Sequence, residues 1–228
     1  MPQKNTWEKE YSNAKLVILE NDKPQKNVLR YFRFLKKQGI ILTNLSILDL
    51  GCGIGKNSNY LAELGNDVAG IDISKNAIKT AKDRANKLKL DVKYMVGNIG
   101  SKFLFENEYF DLVLDNISSN SLDDQERNIY IKEVNRVLKK NGNFFIKALC
   151  KEGDKNAKYL LKHSPGKDPD TYIMREINLT EKVFSKDSFI QLYSKYFEIE
   201  QLIKKTSYVK INNRNYKRNY WLGYMKKI

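Results

Sequence analysis

Ser46-Ile47-Leu48-Asp49-Leu50-Gly51-Cys52-Gly53-Ile54-Gly55 decides the reading of this chain. Its first half is an apolar run with strand character, and its second half is a glycine-rich turn ahead of a helical stretch. Such a turn brings backbone and a helix N-terminus close to a ligand, because glycine has no Cβ and tolerates positive φ. A second apolar run, Val68-Ala69-Gly70-Ile71, ends in Asp72. A carboxylate there accepts hydrogen bonds from the two hydroxyls of a ribose. Together the two segments imply a nucleoside-containing ligand.

The glycine spacing narrows the choice. The dinucleotide fingerprint is G-x-G-x-x-G, with the third glycine under the pyrophosphate. Here the pattern is Gly51-x-Gly53-x-Gly55, and Lys56 stands where that glycine is required. A phosphate P-loop needs G-x-x-x-x-G-K-[ST], but Asn57 follows Lys56.

Outward from this stretch the pattern alternates. Strands are expected at Ile47–Leu50, Val68–Ile71, Val92–Val96, Phe110–Leu114 and Phe144–Leu149. Between them lie helices at Lys56–Leu64, closed by Gly65, and from a Ser74 cap to about Leu88. Asp123 and Glu126 form a capping box for a helix that runs to Lys140 and ends at Asn141-Gly142. Alternation of this kind means a parallel sheet with helices on both faces. Ahead of it, Trp7–Glu20 reads as a helix, and Pro24 opens a second one through Leu35, ended by Gly39. Beyond strand five, His163-Ser164-Pro165-Gly166-Lys167-Asp168-Pro169-Asp170 is turn-rich. Ser185 then caps a helix to Tyr196, and Phe197–Lys204 and Tyr220–Met225 are strands joined around Asn212-Asn213.

Length and composition set bounds. The 228 residues suit one domain, residues 1–228, with a helical cap over 1–40 and an insertion over 150–184. No apolar run is long enough for a membrane span, and the N-terminus lacks a signal-peptide pattern. Cys52 and Cys150 form neither a disulfide framework nor a metal-ligand spacing, so no metal is expected and the setting is a reducing cytoplasm. Lys and Arg number 41 against 27 Asp and Glu, a formal charge of +14, spread along most helices and loops. The densest basic group is Lys204, Lys205, Arg214, Lys217 and Arg218, interleaved with Tyr208, Tyr216, Tyr220 and Trp221. It is the candidate surface for RNA.

The segment Ile47–Gly55 resembles the first motif of class I S-adenosylmethionine (SAM)-dependent methyltransferases. Gly70-Ile71-Asp72-Ile73-Ser74 resembles the second, Val96-Gly97-Asn98-Ile99 the third, and Tyr109-Phe110-Asp111-Leu112-Val113-Leu114-Asp115-Asn116 the fourth. Val134 to Ile146 is similar to the helix, turn and fifth strand of that family. The likeness extends from about Trp7 to Ile228. It implies a doubly wound, mostly parallel seven-stranded α/β sheet, Rossmann-like, in the order 3-2-1-4-5-7-6.

The resemblance also implies a site. Asp49 orients the turn or meets the amino group of the cofactor's methionine part; Gly51, Cys52, Gly53 and Gly55 allow close approach. Asp72 takes the ribose, Ile73 and Ile99 sandwich the adenine, Asn98 bonds its edge, and Asp115 and Asn116 stand at the mouth. Trp7 and Tyr11 lie where an N-terminal helix folds over the site. Candidate bases are Asp115 and His163, the one histidine of the chain. Candidate substrate contacts are Tyr11, Ser118, Ser119, Tyr172 and Arg175, with Tyr220 and Trp221. The Asn/Asp-Pro-Pro-aromatic signature of amino-group nucleic-acid methyltransferases is replaced by Asp115-Asn116-Ile117-Ser118. The expected activity is methyl transfer from SAM, leaving S-adenosylhomocysteine, to an N, O or S atom of a small molecule. The rivals are an RNA methyltransferase and a non-catalytic SAM-binding regulator.

Overall fold

The computed structural model describes residues 2–13, 21–211 and 214–228. Five parallel strands form its centre: β1 (Ser46–Leu50), β2 (Asp67–Asp72), β3 (Val92–Val96), β4 (Phe110–Asn116) and β5 (Leu138–Leu149). Two long antiparallel strands, β8 (Phe197–Ile211) and β9 (Arg214–Lys227), complete the sheet. The order is β3-β2-β1-β4-β5-β9-β8, which is the 3-2-1-4-5-7-6 arrangement that the family resemblance implies.

Helices cover both faces. On one side lie α2 (Lys26–Lys37) and α3 (Lys56–Glu63). Val28, Tyr31, Phe32 and Leu35 recur at helical spacing and are all buried, so α2 presents one apolar stripe to the sheet. Tyr31 stacks at 5.1 Å on Phe145 and packs tilted against Tyr224 at 4.8 Å, across β5 and β9. The other face packs α5 (Asp124–Val137) and α7 (Lys186–Tyr193) over Val113, Phe144 and Ile146. α4 (Lys75–Lys87) closes the β2–β3 edge with Ala77, Ile78, Ala81 and Ala85. No helix among the described residues is long and apolar enough to cross a membrane.

Several boundaries differ from expectation, each for a local reason. α1 covers Pro2–Ser12; the remainder of the expected Trp7–Glu20 helix, residues 14–20, lies outside the described residues. Pro24 precedes α2 instead of opening it, because Gln25 is the extended residue at the helix start. The capping box of Asp123 and Glu126 forms, but α5 stops at Val137 rather than Lys140. Leu138 pairs with Phe110 at once, and the register then shifts before Leu112 meets Asn143. Asn141, at φ 61°, carries the extra residues of that bulge. α7 ends before Tyr196, and β8 and β9 run several residues further than expected. The segment 150–184 is structured: α6 (Lys155–His163) is capped by Asp154 through the Ala157 amide at 2.9 Å. It is followed by a separate hairpin, β6 (Thr171–Met174) and β7 (Leu179–Lys182).

The aromatic stack under α2 gives a stability test. Phe145 is fully buried, so Phe145→Ala is expected to cost about 3–5 kcal/mol through lost burial and the cavity left behind. The same change at Leu104, which is 88% exposed, is expected to stay within about 0.5 kcal/mol. Urea denaturation of the two variants checks both.

Candidate functional site

Strand order reverses between β1 and β4: β1 feeds α3 and β2 on one side, and β4 feeds α5 and β5 on the other. In an open parallel sheet, ligands bind beyond the carboxyl ends of the strands at that reversal. A cavity of about 960 Å³ opens there.

The glycine turn forms one wall. Gly51, Gly53 and Gly55 have φ of 67°, 55° and 79°, a region in which a side chain is strained. Space adds a second reason: a Cβ on Gly53 would lie 2.6 Å from the Tyr11 hydroxyl, and one on Gly51 would strike the Ser118 side chain. The sequence suggested that the turn offers its amides to a ligand, but these amides are engaged. Gly51 and Cys52 donate to the Ile71 carbonyl at 2.8 and 3.0 Å, Gly53 to Asp72 Oδ2 at 2.9 Å, and Gly55 to the Cys52 carbonyl at 3.0 Å. The turn thus supplies a bare wall with no protruding side chain, and Gly55 lies behind it at the start of α3.

Asp72 faces the cavity, its two oxygens accepting from the Gly53 and Ser74 amides at 2.9 Å each. A carboxylate has about four acceptor positions, so the fixed group retains capacity for a pair of hydroxyls. Burial pushes its pKa up to about 6. Ile73, Asn98 and Ile99 line the cavity beside it. Asn98 is tied down: its Oδ1 accepts from the Gly100 amide and its Nδ2 donates to Glu126, each at 2.9 Å. Asp49 sits behind the wall, 1% exposed, accepting from Ser58 of α3 at 2.6 Å. Burial, with Asp115 and Asp72 nearby, pushes it up to about 7.

Asp115 corrects the sequence reading. It is fully buried and accepts from the Ser118 amide at 2.8 Å, the Ser118 hydroxyl at 2.5 Å and the Tyr130 hydroxyl at 2.6 Å, with the Ser119 amide behind. Its carboxylate points into the α5 layer, and Asp115 is not part of the cavity lining. His163 is also displaced from the role of base: it is exposed at the end of α6, its ring tilted against Tyr159 at 4.3 Å and away from the cavity lining. Arg175 is exposed beside it, donating to the His163 carbonyl at 3.5 Å. Ser119 is buried behind the cavity. Tyr172 is buried too, donating to Glu181 at 2.8 Å.

Asn116, Ser118, Trp7 and Tyr11 do reach the cavity. Asn116 donates to the Gln25 side chain, which Asn57 holds in turn, so the segment before α2 is clipped over the glycine turn.

The far half of the cavity is built by residues the sequence reading did not place in the site, Lys147, Leu149, Thr171, Ile173, Glu181 and Arg218, beside Tyr220, which it named as a substrate candidate. Arg218 is 3% exposed and bonds Glu181 at 3.1 Å, with Asp154 at 3.8 Å. Arg218, Tyr220 and Trp221 therefore turn inward, and the expected basic, aromatic C-terminal patch loses three of its members. Lys147 lies over the Tyr220 ring at 4.0 Å; burial and Arg218 push its pKa down to about 8. A lysine inside the apolar run Phe144–Leu149 was the available signal.

Residues 41–178 match the family model for a methyltransferase domain. The ubiquinone biosynthesis O-methyltransferase of Pelagibacter ubique is 34% identical over 145 residues, 61% of this chain and 58% of that one. The chain thus spans under two thirds of that relative's length. The phosphoethanolamine N-methyltransferase 3 of Arabidopsis thaliana is 35% identical over 46% of this chain and 21% of its own. Among solved structures, a SAM-dependent methyltransferase from Methanosarcina mazei superposes with a TM-score of 0.73 at 24% identity, covering 90% of this chain and 99% of that one. A Burkholderia thailandensis 1,6-didemethyltoxoflavin-N1-methyltransferase, solved with bound 1,6-didemethyltoxoflavin and S-adenosylhomocysteine, gives 0.70 at 15% identity over 99% and 87%. This chain belongs to the methyltransferase domain family, as a class I member whose cofactor is SAM.

The buried Asp49 makes stability depend on pH. Its folded-state pKa is raised, so its contribution is fully present below the unfolded value near 4 and is lost as pH rises to about 7. Asp49→Asn keeps an acceptor for Ser58 without the charge. It is expected to melt above the wild type at pH 8, with the difference shrinking toward pH 4.5; melting curves at both pH values check this.

Proposed function

We propose that this chain, acting through residues 1–228 as one catalytic unit, transfers the methyl group of SAM to a small-molecule acceptor. The observation that carries the reading is the continuity of the cavity: the glycine wall and Asp72 lie at one end, and a chamber built by β5, β7 and β9 lies at the other. Ligand pockets span about 300–1,000 Å³. At about 960 Å³, this one has room for a cofactor and a second small molecule together.

The residues suit the cofactor in shape and charge. Asp72, already fixed by two amides, accepts the ribose hydroxyls; Ile73 and Ile99 provide apolar faces for the base. Asn98, bound to Glu126 and Gly100, shapes the adenine edge. The carboxylates of Asp49, Asp72 and Asp115 lie at the ends of three adjacent strands, and their field favours a ligand bearing positive charge. The glycine wall and Asn116 leave space for the methionine part.

The cofactor supplies a methyl on a positively charged sulfur, a good leaving group that needs no metal or acid assistance. What remains for the protein is to hold an acceptor in line and exclude water. Trp7 and Tyr11 close the cavity from the N-terminal helix, 6.3 Å apart, and the face of Tyr11 suits a sulfonium. Neither His163 nor Asp115 reaches the cavity as a base, so the acceptor atom is one that reacts without them: an amine in its free-base form, or an ionised oxygen or sulfur.

Methyl-labelled SAM incubated with the protein and fractionated cell extract tests this reading. Label is expected in the small-metabolite fraction. Label confined to RNA or protein, or no turnover with any fraction, counts against it. Asp72→Ala is expected to weaken SAM binding by about 1–3 kcal/mol, the usual loss for hydrogen bonds to a charged group. Calorimetric titration measures it, and an unchanged affinity would remove the ribose assignment.

A further inference from the structure

Lys147 is the one basic residue in a strand segment that otherwise fills the core, Phe144-Phe145-Ile146-Lys147-Ala148-Leu149. Alternation along β5 places it on the face of Leu149, toward the cavity. The charged and titratable groups around it come from three strands: Arg218 and Tyr220 on β9, Glu181 on β7 and Asp115 on β4. Each acid is already engaged. Glu181 accepts from Arg218 and Tyr172. Asp154, behind Arg218, accepts from the Ala157 and Asn219 amides. Asp115 faces the opposite layer, toward Tyr130. Arg218 is thus matched by two acids, whereas no carboxylate among the described residues pairs with Lys147. Its ammonium lies over the Tyr220 ring face, at 4.0 Å. A half-buried cation on the cavity wall without a counter-charge carries a desolvation cost, and an anion delivered by a ligand offsets that cost.

Leu149, Ile173, Trp7 and the Tyr220 ring line the same chamber and supply apolar surface there. The geometry points to an acceptor that carries an anionic oxygen group, a carboxylate or a phosphate, on a compact apolar body. Lys147 receives the anion and the Tyr220, Leu149 and Ile173 side chains hold the body. This rests on the methyl-transfer reading above and names the acceptor class for it.

The test is calorimetric titration of protein saturated with S-adenosylhomocysteine, using three probes: 4-hydroxybenzoate, its uncharged methyl ester, and phenyl phosphate. At least one anionic probe is expected to bind the wild type roughly tenfold tighter than the ester, the size of one charge-assisted bond. Which of the two does so identifies the group. The preference is expected to vanish in Lys147→Met and to persist in Lys147→Arg. Anionic probes that bind no tighter than the ester, or not at all, overturn the inference, as does a preference that survives in Lys147→Met. A Lys147→Met variant with weakened cofactor binding and unaltered probe binding also overturns it, by placing the lysine on the cofactor's own carboxylate. If Lys147→Met does not fold, the wild-type preference and its loss at high salt decide. Failure of the wild type to bind S-adenosylhomocysteine is a separate result, which removes the methyl-transfer reading itself.

Discussion

Ser118 joins the two strands on which the site depends. Its hydroxyl lies 2.6 Å from the Leu50 carbonyl, at the end of β1, and 2.5 Å from the Asp115 carboxylate, at the end of β4. The switch point of the sheet is therefore bridged by one side chain, and that side chain occupies the space a Cβ on Gly51 would need. The glycine wall, the position of Asp115 and the opening between the strands are one packing solution. Asp115 is buried so that the turn after β4 has a fixed acceptor for two amides and two hydroxyls, which makes it a positioning residue for the cavity.

The distant half depends on a different interaction. Arg218 of β9 binds Glu181 of β7, and the Asp154 that caps α6 accepts from the Asn219 amide at 2.8 Å. The inserted segment is thereby locked to the sheet by a buried ionic cluster. Removing one partner from such a cluster costs about 3–5 kcal/mol, because the other charge is stranded. A chamber wall built this way holds its shape around a small ligand, as in-line transfer requires.

The strand alternation, the Asp123–Glu126 capping box and the strand order were legible because each depends on local periodicity or on the family resemblance. Gly51, Gly53 and Asp72 were legible for the same reason: their backbone geometry is set within a few residues. Asp115 and Asn116 were placed together by motif, yet period two separates them. Val113 and Asp115 face α5, whereas Leu114 and Asn116 face the other side. That alternation was readable, and the motif concealed it. Arg218 is a case of the opposite kind. Its neighbours in sequence, Lys217 and Tyr216, suggest a surface, and only pairing with an acid on a hairpin nearly forty residues earlier turns it inward. The ends of α5 and α7 were decided by strand pairing that no helical propensity encodes.

The electrostatics of the cavity orient whatever it binds. Its cofactor end carries Asp49 and Asp72, which burial raises, with Asp115 and Asp72 adding to the first and Glu8 to the second, a cost that a ligand with ammonium and sulfonium charges relieves. Its distant end carries a lysine depressed by burial and by Arg218. The overall charge of +14 has no part in this separation, since most of it is solvated on helix faces. A cationic donor at the acidic end and an anionic acceptor at the basic end approach each other along the field between them. After transfer the sulfur is neutral, so the donor's attraction to the acidic end weakens when the product must leave.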